Sequence, residues 1–436
     1  MELVKRTWKS PQYLLLPAAI FHIFVTTSLL IVGKKELLPN KIDINGTVVS
    51  ITPDGTLFLK DAIVLANYLR QGDLFAWINQ SYPFHAKVYS VSFAVFGQLF
   101  GGQNILTAEP INLLYYLCML CLVYKLTDQI FNSRAGLVAA LIVGVWPSLL
   151  LHTTQMVKDP LFICEMLVLV LILTRLIQRT YTQRKWLLDA TCGGLFGILL
   201  WKTRTEMASL VLGTIVLAGF LLLVRLVFEK RILVPNAMGI TLLLTITLVG
   251  MTFIGVYRGL DHPERGVKNQ SRQSREFRWW QLPQRVGKLR DGFIRKYQES
   301  GSNIGTDVRI TNPIDLVCYL PRAMAIGLFA PFPSMWFEKG TLVGPLARRI
   351  SGIETVFMYA IEILAAFSLW RMRRSFPVWF LISVVMLGVV SLGLVVVNVG
   401  ALYRQRYFFL ILLVVLAAGE FAQWFPAKKG VGEQFV

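Results

Sequence analysis

An all-α bundle that crosses a membrane about ten times is the fold this 436-residue sequence predicts. Three observations predict it. Hydrophobic residues make up 55% of the chain and charged residues only 16%, a balance too apolar for an ordinary soluble protein. The apolar residues gather into runs close to the length of a bilayer crossing, and Lys and Arg collect in alternate connections between those runs.

The runs lie at 11–32, 105–127, 135–152, 160–178, 187–201, 207–228, 232–256, 353–370, 378–398 and 408–425. The first is as long as a full span, so it is expected to stay as an uncleaved anchor. An even number of spans puts both termini on one side. With the amino terminus inside, the basic clusters at Arg175 to Lys185, Lys230 and Arg231, and Arg371 to Arg374 become cytoplasmic. The short outer loops then keep Lys158, Lys202, Arg204, Arg404 and Arg406. These five oppose the usual bias, and each sits beside a span end. Ion pairing or anchoring at the interface is one explanation, and ligand binding is the other.

Residues 1–436 read as a single integral membrane domain without a separate soluble domain. Two long segments fall outside, 33–104 and 257–352. In the first, Phe58, Ile63, Leu65, Ala66 and Leu69 recur at helical spacing, which predicts an amphipathic helix on the membrane surface. Val88 to Gly101 predicts a second helix, too short to span. In the second segment Lys and Arg outnumber Asp and Glu two to one, which suits anionic lipid headgroups, lipid-linked phosphates or an anionic glycan, and not nucleic acid. Its apolar stretch 319–337, which contains Arg322, is broken by Pro321, Pro331 and Pro333, so it is expected to re-enter rather than cross straight. The Cys118 and Cys121 pair lies inside an apolar run without a second ligand pair, so packing is its expected role.

The polar loop after the first span holds the best chemical candidates. Asp54 stands in a Pro53-Asp54-Gly55 turn, followed by Gly72-Asp73 and then by His85, Lys87 and Tyr89. Near the carboxyl end, Tyr403 and Tyr407 frame Arg404 and Arg406, two guanidiniums between phenols that suit a phosphate or a sugar ring.

This order of residues, with Trp146-Pro147 leading to the outer Asp159, resembles the GT-C membrane glycosyltransferases, and within them the protein mannosyltransferase and lipid A aminoarabinose transferase branch. The resemblance covers roughly residues 11–210. It implies a GT-C-like bundle and transfer of a sugar from a polyprenyl-phosphate donor to a lipid, glycan or protein acceptor. Asp54 matches the family's catalytic acid position, expected to act as general base in an inverting reaction, and Asp159 matches its second acidic position. Arg404, Arg406, Arg204 and Lys202 are expected to meet the donor phosphate. His85, Lys87, Tyr89, Lys158, Arg322, Tyr403 and Tyr407 are expected to line the substrate cleft.

Gly55 stands where many relatives carry a second carboxylate, so a divalent metal is not the favoured cofactor and no metal ligands are assigned. Donor and membrane lipids are the expected partners, and a bacterial inner membrane with the site on its outer face is the expected location. Two other readings fit parts of the pattern. A polymerase or ligase of the O-antigen kind also joins lipid-linked glycans with basic outer loops, but would not need Asp54. A glycolipid transporter would place its charges near the bilayer midplane in repeated halves, and no repeat is visible here.

Overall fold

The computed structural model describes residues 12–38, 41–47, 55–179, 181, 184–230, 233–261, 281–298, 301–337 and 345–424. Among them the chain is helical without a named strand, apart from one isolated bridge between Asn303 and Asn398. Among the described residues eight helices are long and apolar enough to cross a membrane, and nine if Ser133–Gly144 and Pro147–Thr153, bent by 72°, count as one broken span. The break falls at Trp146-Pro147, because proline cannot donate to the preceding turn.

The tenth expected span is the helix Lys185–Thr203. Asp189 and Lys202 lower its apolarity, but Gly193, Gly194 and Gly197 put it flush against Leu243, Ile246 and Thr247 of the helix Val234–Asp261. A Cβ at Gly194 would come within 2.6 Å of the Ile246 side chain. Small residues of this kind let helices approach closely where lipid supplies no hydrophobic drive for association.

The connections sort to two opposite ends of the bundle. At one end Arg175 faces Asp189 at 3.6 Å, Asn236 donates to the Leu176 and Arg179 carbonyls, and Arg371 reaches Glu420 at 2.8 Å. These are the basic turns expected in the cytoplasm. At the other end the backbone N–H of Ile105 donates to Asn45, and Ile304 N–H donates to Val397 across the Asn303 bridge. Every candidate outer loop among the described residues lies here. The two most enclosed helices, Asp159–Gln178 and Tyr407–Trp424, both start at this end.

The amphipathic helix expected near 58–69 is Gly55–Arg70, with Ala62, Leu65 and Ala66 buried. Its last residue, Arg70, donates to the Phe93 carbonyl at 2.6 Å and so ties it to the next long helix, Phe84–Phe96. In the second long segment, Leu282–Lys296 is one helix and Pro313–Phe329 another, the latter opened by a capping box between Asn312 and Asp315. Asp315 accepts from the Thr311 and Asn312 backbones, which hold its carboxyl below the usual range.

Pro313–Phe329 packs along the span Phe376–Val395 with almost no gap. Gly327 lies against the Val389 carbonyl and Gly393 against the Ala323 carbonyl. Since residue 327 meets 389 and residue 323 meets 393, the helix descends toward the bundle interior as it proceeds. The chain then leaves through Pro331 and a short turn at Pro333–Met335, where Trp336 Nε1 donates to the Pro331 carbonyl at 2.8 Å.

Candidate active site

The site grows from the start of the helix Asp159–Gln178. Pro160 fixes its first turn, and Asp159 places a carboxylate at the positive end of the helix dipole. The residue is 3% exposed. Arg204, itself 2% exposed, forms an ion pair with one of its oxygens, and Arg404 Nε lies 3.4 Å from the other. The Arg204 guanidinium also lies 5.0 Å from the Phe162 ring centroid. One buried carboxylate therefore holds two guanidiniums from two other loops, an arrangement that presents positive charge in a nearly dry setting.

Lys158 and Glu206 close a second ion pair beside it. The pairs are crossed relative to the sequence: Lys158 does not take Asp159, and Arg204 does not take Glu206. Adjacent residues at a helix start point away from each other, so each charge finds its partner on the facing loop. Together the two pairs stitch the loop before Asp159 to the turn after Lys185–Thr203.

His85 lies against this cluster. It is buried, its ring meets Phe58 edge-on at 4.2 Å, and both ring nitrogens lack a hydrogen-bond partner. Burial first, and then the charges of Lys158 and Arg204 working against Asp159 and Glu206, push its pKa down to about 4. The imidazole is thus neutral at pH 7 and can offer one donor and one acceptor. Its contribution to stability has a definite sign. An unfolded chain protonates this histidine near 6.5, so the folded state is favoured above that value and loses stability as pH falls toward about 4. His85→Gln is expected to flatten the pH dependence of the melting temperature across this window, and an unchanged slope would place its source elsewhere.

The remaining candidates divide. Lys87 donates to the Ile78 carbonyl at 2.6 Å, and burial, followed by the nearby charge of Lys202, lowers its pKa. The two lysines sit on helices, Phe84–Phe96 and Lys185–Thr203, that touch each other. Tyr89 is buried and donates to Asn112 at 2.6 Å, bracing the helix Phe84–Phe96 against the second span. Arg322 belongs to a different group, facing Asp307 at 3.8 Å and lying over the Tyr319 ring. Asp54 lies outside the described residues. Among those that are described, no group of three or more His, Cys, Asp or Glu side chains converges on a point.

Arg404 and Arg406 part company. Two residues along a helix is a rotation of about 200°, and only Arg404 turns to Asp159. Arg406 is 0% exposed and donates to the Gly327 and Leu328 carbonyls at 3.1 and 2.8 Å, capping the buried end of Pro313–Phe329. Burial lowers its pKa, offset by the phenols and the carboxylate around it. The two tyrosines each direct their hydroxyl to a protein partner. Tyr403 donates to Glu354, and the Tyr407 hydroxyl sits 3.1 Å from His152 Nδ1, whose N–H donates to the Ser148 carbonyl.

Sequence reasoning passed over a polar network inside the spans. His22 Nδ1–H donates to Glu109 at 2.7 Å, Thr26 donates to the other Glu109 oxygen, and His22 Nε2 lies 3.1 Å from the Thr153 hydroxyl. Asn112 continues it by donating to the Thr154 carbonyl, just before the loop that carries Lys158 and Asp159. The signal was present: an ionisable residue inside an apolar run needs a partner.

Residues 85–250 match the family model for dolichyl-phosphate-mannose-protein mannosyltransferases. No curated protein matches the chain. Among solved structures, the chain is similar to the archaeal oligosaccharyltransferase AglB from Archaeoglobus fulgidus in complex with an inhibitory peptide and a dolichol-phosphate. That likeness has 13% identity and a TM-score of 0.46, over 95% of this chain and 50% of that one. It is also similar to ArnT from Cupriavidus metallidurans bound to undecaprenyl phosphate, at 15% identity and a TM-score of 0.39, over 93% and 78% of the two chains. The chain thus spans about half the length of the oligosaccharyltransferase.

Proposed function

We propose, from the premise that residues 85–250 make this chain a GT-C membrane glycosyltransferase, that it moves a sugar from a polyprenyl-phosphate carrier to an acceptor hydroxyl at the membrane surface. The observation that carries the reading is the buried Asp159 holding Arg204 and Arg404 together at the end of the bundle where the long loops gather. A leaving lipid phosphate gains negative charge as its bond to the sugar breaks, and preorganised guanidiniums meet that charge without reorganising.

In this reading the acceptor oxygen attacks the anomeric carbon while Asp54 takes its proton. The bond from that carbon to the phosphate oxygen breaks, and the polyprenyl phosphate departs with inverted configuration left on the sugar. Arg404 and Arg204 meet the phosphate, with Lys202 and Lys87 supplying further positive charge nearby. Asp159 orients the two guanidiniums, and neutral His85 contacts a sugar hydroxyl. Arg406 supports the site from behind. The acceptor face is outward, as the distribution of Lys and Arg in the short loops favours.

The test is purified protein incubated with a panel of radiolabelled polyprenyl-phosphate sugars and a membrane extract. Wild type is expected to transfer or hydrolyse at least one donor. Asp54→Asn should slow this about a hundredfold or more, and Arg404→Ala should raise the donor KM as well as lower kcat. No turnover of any donor would overturn the enzymatic reading. Turnover that survives Asp54→Asn would remove the proposed base and favour a polymerase-like or ligase-like reaction.

A further inference from the structure

The end of the bundle opposite Asp159 carries a groove of about 750 Å³, lined by Trp370, Arg371, Arg373, Arg374, Ser375 and Glu420 among others. We propose that it binds a phospholipid whose headgroup bears both a phosphate and a primary ammonium, as in phosphatidylethanolamine. The site is remote from the catalytic candidates and does not rest on the function proposed above.

Glu420 carries the argument. It is 2% exposed, and one carboxylate oxygen accepts from Arg371 at 2.8 Å. The other oxygen, Oε2, is buried without a hydrogen-bond partner. A buried carboxylate oxygen left in this state is costly, and a donor brought by a ligand relieves the cost. Arg371 spends Nη2 on the first oxygen and Nη1 on Gln423, and makes no hydrogen bond to Oε2.

The rest of the groove matches the remainder of such a lipid. Arg373 and Arg374 are exposed on the turn that ends the span, where guanidiniums pair with phosphate. Arg373 is held over the Trp370 ring at 5.2 Å, which fixes it beside the groove. Trp370 and Phe367 are 72% and 57% exposed on the flank of the same helix, an apolar surface continuous with the acyl chains of the bilayer. Phosphate toward the arginines and ammonium toward Glu420 Oε2 uses every charged group in the groove. Phosphatidylglycerol would satisfy the arginines but brings no ammonium. Phosphatidylcholine brings a quaternary amine with no N–H to donate.

The full-length protein, delipidated in detergent, is titrated with dioleoyl phosphatidylethanolamine, phosphatidylglycerol and phosphatidylcholine, and retention is read by native mass spectrometry. Wild type is expected to retain the ethanolamine lipid roughly tenfold more tightly than the choline lipid, the worth of one charge-assisted hydrogen bond. Glu420→Gln should abolish that preference while leaving phosphatidylglycerol binding unchanged. Changing Arg373 and Arg374 together to Gln, on an exposed turn that the fold tolerates, should weaken both phosphatidylethanolamine and phosphatidylglycerol. Ethanolamine bound no better than choline by wild type, an ethanolamine preference that survives Glu420→Gln, or equal retention in the double arginine variant would each overturn the proposal.

Discussion

Asp159→Asn is expected to lower sugar transfer about a hundredfold and to destabilise the protein by about 3–5 kcal/mol. Both effects follow from one fact, that a single buried carboxylate is the shared ion-pair partner of Arg204 and Arg404. Asparagine keeps the shape but takes away, in a poorly hydrated place, the negative charge that the two guanidiniums share. They repel, and the loop after Lys185–Thr203 separates from the turn before Tyr407–Trp424. Two measurements separate the effects: the melting temperature in detergent, and the turnover of a polyprenyl-phosphate sugar scaled to the folded fraction. Asp159→Glu, which restores the charge at a different reach, should recover most of the stability and less of the rate. A variant that melts early yet turns over normally when folded would reduce Asp159 to a purely structural residue.

Gly393→Val should have the next largest effect, about 1–3 kcal/mol of destabilisation or more. Its new Cβ would collide with the backbone carbonyl of Ala323, and a backbone atom cannot swing away as a side chain can. The helix Pro313–Phe329 must then lift from Phe376–Val395, carrying with it the Gly327 and Leu328 carbonyls that hold Arg406. Arg404, two residues away, loses its placement, so donor KM is expected to rise along with the drop in melting temperature. Gly327→Val strikes the same helix pair from the other side, at the Val389 carbonyl, and the two changes together should cost less than their sum. Gly292→Ala serves as the control, since nothing lies within 4 Å of the added methyl. It should leave melting unchanged or raise it slightly, given the helix preference for alanine. Equal losses from Gly393→Val and Gly292→Ala would show that the close packing contributes nothing.

The membrane fold was legible because its signals are local. Length and apolarity locate a span from its own residues, and the positive residues at Arg175, Lys230 and Arg371 mark one set of turns before any packing is known. The amphipathic helix Gly55–Arg70 was legible in the same way from its spacing. Pairings were not. Lys158 and Asp159 are neighbours in the chain, and so nearly are Arg204 and Glu206, yet each found its partner on the other loop. Arg404 and Arg406 look equivalent in Tyr-Arg-Gln-Arg-Tyr, and only the turn of a helix separates the one beside Asp159 from the one that caps a helix end. Tyr403 and Tyr407 likewise gave no sign of the protein partners that their hydroxyls meet, Glu354 and His152. These outcomes depend on which loops meet across the bundle, and no local pattern encodes that.

The contact of His22 with Glu109 implies an order of assembly. Glu109 belongs to the second span, and delivered alone to hydrocarbon its carboxylate would resist insertion. Synthesis runs from the amino terminus, so the first span, with His22 and Thr26, reaches the bilayer before Glu109 leaves the ribosome. The helix Gln12–Lys34 is therefore a receptor for the helix Ile105–Ile130. A chain begun after residue 34 would send Glu109 into the membrane without its partner, and would leave Thr153 without the imidazole that meets it.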